Sequence, residues 1–130
     1  MKIYLCEKNS GGHSLNKKKF RDLHEVIRGS EIVECITLKN IFDSYKIRRC
    51  DFLKLDCEGE EARILHALPS VYFKRIDKIA LEFHRPVVDE IKLARFLSKQ
   101  GFRVTVSNFG RTLGMIFASR MVARKKMKHM

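Results

Sequence analysis

The chain is 130 residues long, the size of one ordinary domain, with 45% hydrophobic residues and a formal charge of +12. That apolar content supports a packed core and excludes wholesale disorder. No apolar run reaches the roughly 18–20 residues needed to span a bilayer, and the four-residue run before Glu7 is too short for a signal-peptide core. The expectation is therefore cytoplasmic residence without a membrane partner.

In chain order, residues 1–6 read as a short strand. The following loop to Leu15 holds Asn9, Gly11 and Gly12, but no strand and helix flank this glycine pair at the spacing of a nucleotide-binding turn. Lys17, Lys18 and Lys19 form a basic knot, and Phe20, Leu23 and Ile27 beyond it hint at a short helix. Residues 31–36 alternate weakly as a second strand. Thr37 is placed to cap a helix whose Leu38, Ile41, Phe42 and Tyr45 keep the rhythm of one buried face.

Residues 52–56 make a third strand, apolar on both faces except at Lys54, whose long stem can snorkel or whose charge can meet an acid. A helix over 60–68 buries Ala62, Leu65 and Leu68 and stops at Pro69. Residues 79–83 form another buried strand. After Pro86, a helix running to Gln100 places Val87, Ile91, Ala94 and Leu97 on one side, and Gly101 ends it. Strands at 102–106 and 115–118, separated by a turn-rich loop at Asn108–Gly110, complete the set. The alternation of strand and helix predicts an α/β fold with a mostly parallel sheet.

Chemistry-bearing residues concentrate at two strand ends. The run DFLKLDCEGEE closes on Asp56 and Glu58 before Gly59 and a helix start, and IALEFH closes on Glu82 and His84. Ligands of α/β proteins bind beyond the carboxyl ends of strands, where helix N-termini also point. Neighbouring strands lie about 4.8 Å apart, so these four side chains could share one sheet edge.

Plainer roles compete at each position. Glu60 and Glu61 suit the first turn of a helix through its dipole. Glu58 stands where capping competes with catalysis, Asp56 could serve local charge balance, and Glu82 and His84 could pair with each other or with Arg85. Cys6, Cys35, Cys50 and Cys57 show no paired metal spacing and read as small buried hydrophobes.

The two segments resemble the FkbM family of S-adenosylmethionine-dependent methyltransferases. The resemblance rests on Asp51-Phe-Leu-Lys-Leu-Asp56-Cys-Glu58-Gly59-Glu-Glu61, on Ile64-Leu65, and on Ile79-Ala-Leu-Glu82-Phe-His84. It implies the C-terminal half of a Rossmann-like class I methyltransferase fold, its last two strands an antiparallel hairpin, over residues 1–119. Residues 120–130 would then be a basic tail. It further implies S-adenosylmethionine as cofactor, a hydroxyl on a sugar or similar small metabolite as acceptor, and no metal.

The family's glycine-rich donor-binding unit has no counterpart in residues 1–15, so the domain reads as incomplete. The chain is then a truncated or inactive form, a part of a longer sequence, or a domain completed by self-association or by a separately encoded N-terminal half. The alternative is a catalytically silent module that uses its positive charge on nucleic acid or an acidic partner.

Overall fold

A computed structural model describes residues 1–8 and 11–122. Asn9 and the basic residues Arg124, Lys125, Lys126 and Lys128 of the expected tail lie outside them.

The core is a four-stranded sheet. Before it, β1 (Lys2–Cys6), α1 (Lys17–Asp22) and β2 (Ile27–Ile32) form a separate unit in which β1 and β2 pair antiparallel. Residues 33–36 are therefore not strand, and Ile27, expected in a helix, opens β2 instead. Helix α1 starts where Asn16 accepts the Lys18 N–H, and it ends before Leu23.

The cap expected at Thr37 is present: its hydroxyl accepts the Asn40 N–H at the start of α2 (Leu38–Ser44). Phe42 carries the buried face of α2, whereas Tyr45 lies just past its end and is exposed. Strand β3 (Leu53–Leu55) leads through α3 (Glu61–Ala67) and α4 (Ser70–Phe73) to β4 (Lys78–His84). This crossover makes β3 and β4 parallel, with Leu53, Lys54 and Leu55 opposite Ile79, Ala80 and Leu81.

Helix α5 (Glu90–Lys99) begins at Asp89, whose carboxylate accepts the Lys92 N–H. Val87 precedes it and Ile91 is exposed, whereas Leu97 is buried as expected and shares the buried stripe with Leu93. Strands β5 (Phe102–Phe109) and β6 (Leu113–Arg120) make the expected antiparallel hairpin. Both are longer than the sequence pattern suggests. Arg120 belongs to β6 rather than to a tail: its Nε donates to the Ile76 carbonyl at 2.8 Å and its guanidinium lies over Phe102.

The sheet order is β3-β4-β6-β5, and only its β3–β4 pairing is parallel. The expected mostly parallel sheet is thus a mixed one. The short hairpin connection turns β6 back against β5 and lays it between β5 and β4, while the first two strands never join this sheet.

One face of the sheet carries the core. Leu55, Ile79, Leu81, Phe83, Phe102, Ile116 and Ala118 meet Leu65, Phe73, Leu93 and Leu97 of the helices. On the other face Lys54 and Phe117 are exposed, so Lys54 needs neither snorkelling nor a buried partner. Phe52, expected inside a strand, is exposed ahead of β3. Of the cysteines only Cys6 is buried, and Cys35 is exposed. No helix among the described residues is long and apolar enough to cross a membrane.

Candidate functional site

The parallel pair sets the geometry. Because Leu55 stands opposite Leu81, Asp56 leaves β3 level with Glu82 of β4. Glu82 and His84, two residues apart on one strand, share a face of the sheet. Beyond Asp56 the chain turns sharply: Glu58 and Gly59 both adopt left-handed conformations, with φ of 52° and 106°. A Cβ at Gly59 would come within 2.9 Å of Val87, and its positive φ also favours glycine.

The turn carries Glu58 back over the end of the sheet. One ligand-type atom each from Glu58, Glu82 and His84 then lies within 4.8 Å of the others. All three side chains are half-buried. Three of the four residues expected from the sequence are thereby assembled. Asp56 is exposed at the rim, near enough for its charge to act on Glu82.

Burial is the chief reason that the Glu82 carboxyl is raised above its usual range. Repulsion from Asp56 and Glu58 adds to this, and His84 and Lys54 oppose it. Glu82 Oε1 and His84 Nε2 face each other at 3.5 Å. Arg85 takes no part in this pair, because its guanidinium bonds Glu90 at 2.6 Å.

Two supporting residues escaped the sequence reading. Lys19, read there only as part of a basic knot, is 1% exposed. Its ammonium donates to Glu58 at 2.6 Å and to the Gly12 carbonyl at 2.8 Å, and it lies 3.1 Å from Glu25. Burial works against that ammonium, but the bonds and charges of Glu58 and Glu25 outweigh it and hold its pKa above the ordinary value. The Ser14 hydroxyl donates to the Glu58 carbonyl from the same N-terminal unit.

Glu61, assigned from the sequence only to the helix dipole, is fully buried. Its two carboxylate oxygens accept the Cys57 N–H at 2.7 Å and the Gly59 N–H at 3.1 Å, fastening the turn from below. A signal existed: an acid two and four residues after the N–H groups of a glycine turn can reach back to them. The burial of Lys19 had no such local signature. Burial, followed by the Glu61 charge, pushes the Cys57 thiol up and leaves it protonated rather than nucleophilic at neutral pH.

An apolar cavity of about 460 Å³ adjoins the other side of the turn, lined by Leu38, Ile41, Leu55, Cys57, Ile64 and Ala67 among others. It is within the size range of small-molecule sites. None of the four candidate residues lines it, and its charged groups, Glu60 and Arg63, are paired with each other. The clustered titratable groups, Glu58, Glu82 and His84, thus lie apart from this apolar cavity.

No curated protein and no solved structure matches this sequence. A family model, described as the methyltransferase FkbM domain, matches residues 4–104, which run from within β1 to the start of β5 and include every residue of the site. The chain belongs to the FkbM methyltransferase domain family.

Proposed function

We propose that this domain transfers a methyl group from S-adenosylmethionine to a hydroxyl of a sugar or other small metabolite. The observation that carries the reading is the convergence of Glu58, Glu82 and His84 beyond the carboxyl end of a parallel strand pair. Family membership supplies the reaction class. The strand order β3-β4-β6-β5 with its closing hairpin supports a Rossmann-like class I fold in its C-terminal half.

The donor supplies an electrophilic methyl on a cationic sulfur. An edge bearing Asp56, Glu58 and Glu82, where carboxylates already repel one another, suits a cation. The acceptor oxygen attacks the methyl carbon as the carbon–sulfur bond breaks, and that bonding pair leaves on sulfur. The hydroxyl proton passes to Glu82 or His84. Such a base contributes about 10²–10⁴ in rate, and alignment of the reacting atoms up to about 7–11 kcal/mol.

The β3 edge is completed from outside the described residues, by a second copy or by a separate half, of which only the separate half can bring the glycine-rich part of the donor site. The support is that β3 is an edge strand flanked by the apolar cavity, an arrangement that invites another strand.

A thermal-shift titration with S-adenosylhomocysteine tests the reading, since a ligand of the folded state stabilises by mass action. Stabilisation that saturates is expected. No shift at millimolar ligand, together with salt-sensitive retention on RNA, would favour the non-catalytic binding module instead. Light scattering after size-exclusion chromatography tests completion by a second copy, which a monodisperse monomer would rule out.

A further inference from the structure

We propose that Glu58, Glu82 and His84 bind one divalent transition-metal ion, of the Mn²⁺ or Zn²⁺ class. Their ligand-type atoms come from two adjacent strand ends and are mutually within 4.8 Å. The spacing is held rather than accidental. Glu82 and His84 are fixed by the β4 ladder, and Glu58 by its left-handed turn, the Ser14 hydroxyl and the Lys19 ammonium. Lys19 bonds only Oε2 of Glu58, leaving the other oxygen for an ion.

A second observation points to a missing ligand. His84 Nε2, the nitrogen that faces Glu82, makes no hydrogen bond among the described residues, although the side chain is only 16% exposed. No protein donor bonds the Glu82 carboxylate either, and its 3.5 Å distance from His84 Nε2 is too long for a good N–H···O bond. Two ligands held about 2.0–2.1 Å from one tetrahedral ion stand about 3.4 Å apart. The unsatisfied pair thus has the separation of two ligands of one ion.

Charge agrees. Asp56, Glu58 and Glu82 crowd together, and the buried cation beside them, Lys19, is already shared with Glu25. The donor set selects the ion: an imidazole with two carboxylates suits Mn²⁺, Fe²⁺, Co²⁺ or Zn²⁺, whereas Mg²⁺ and Ca²⁺ prefer oxygen alone. Three protein ligands leave a coordination position open. If the methyl-transfer reading above holds, a bound ion would take over the role of base assigned there to Glu82 or His84, lowering the pKa of an acceptor hydroxyl at that position.

The experiment is a titration of chelator-treated, metal-free protein with Mn²⁺, followed by loss of the free-ion electron paramagnetic resonance signal. Zn²⁺ is then added as competitor. One site per chain is expected. His84→Ala and Glu82→Gln should each weaken binding about 100-fold or more, because even residues that only support metal ligands cost 10–100-fold. Asp89→Asn, on an exposed helix cap, should leave binding unchanged.

Circular dichroism confirms that each variant is folded. Absence of stoichiometric binding to folded wild-type protein at millimolar Mn²⁺ and Zn²⁺ overturns the proposal, as does undiminished binding in both His84→Ala and Glu82→Gln. Because the readout needs no methyl donor, metal binding without a donor-induced thermal shift would refute the methyltransferase reading alone. The converse result would refute only the metal.

Discussion

The ammonium of Lys19 lies 2.6 Å from the Glu58 carboxylate, and this buried ion pair ties the N-terminal β1–α1–β2 unit to the turn that ends β3. Removing one partner of a buried pair costs more than the pair contributes, because the other charge stays behind uncompensated. Lys19→Met should therefore destabilise the fold by about 3 kcal/mol, the low end of the range for buried pairs, since Glu58 and Glu25 keep some contact with water. Urea unfolding would show it as a lower midpoint at unchanged slope. A loss below about 1 kcal/mol, the level of a surface pair, would mean that Lys19 is solvated in solution.

The same lysine predicts an alkaline limit. Its folded pKa is raised above 10.5, so its contribution is fully present below that value. It disappears as pH climbs through the raised pKa. Lys19→Met should lack that component of alkaline unfolding.

Glu61 gives the opposite problem in the acid range. Burial pushes its carboxyl above 4.5 despite the N–H groups of Cys57 and Gly59. The unfolded chain then releases this proton first, and the folded state binds more protons over the interval. Stability from this group is full below about 4.5 and is lost as pH rises through the raised value. In Glu61→Gln that slope should vanish. The variant should also lose about 1–3 kcal/mol at neutral pH, because the amide cannot accept both N–H groups. Urea midpoints measured across pH 4 to 7 decide the matter, and parallel curves for the two proteins would refute it.

How far these features could be read in advance depended on whether their cause is local. The Thr37 cap, the Pro69 stop and the buried run through Ile79 and Leu81 each leave a signature within a few residues, and each stands in the structure as expected. So do the strand ends bearing Glu58, Glu82 and His84, because an apolar run closing on acids is a local pattern. Lys19 looked like its exposed neighbours Lys17 and Lys18, and only the approach of Glu58, 39 residues later in the chain, makes it a buried cation. The pairing of β1 with β2 and the open sheet face were hidden for the same reason, since alternation of strands and helices says nothing about which strands meet.

Within the methyl-transfer reading, Glu82→Gln and His84→Ala separate base from scaffold. Loss of the general base should lower the turnover rate about 10²–10⁴-fold. The shift produced by S-adenosylhomocysteine should be unchanged, because its thioether sulfur carries no positive charge for Glu82 to meet. Single-turnover methylation together with the thermal shift would measure both. Equal losses in the two readouts would assign these residues to donor binding rather than proton transfer.

Gly114 connects the sheet to the site. It faces Phe83, the residue between Glu82 and His84, and a Cβ there would collide with the Phe83 ring and come within 2.7 Å of the Ser107 carbonyl. The ring is fully buried, and the carbonyl belongs to the neighbouring strand. Overpacking of this kind costs about 1–3 kcal/mol. Gly114→Ala should lose that much by urea unfolding. Phe83→Leu in the same chain should recover part of the loss, because it relieves the ring contact while the backbone contact remains. A double-mutant cycle would detect this as a coupling of about 0.5 kcal/mol or more. Strictly additive effects would show that the ring does not constrain position 114, and that Glu82 and His84 are held by the β4–β6 ladder alone.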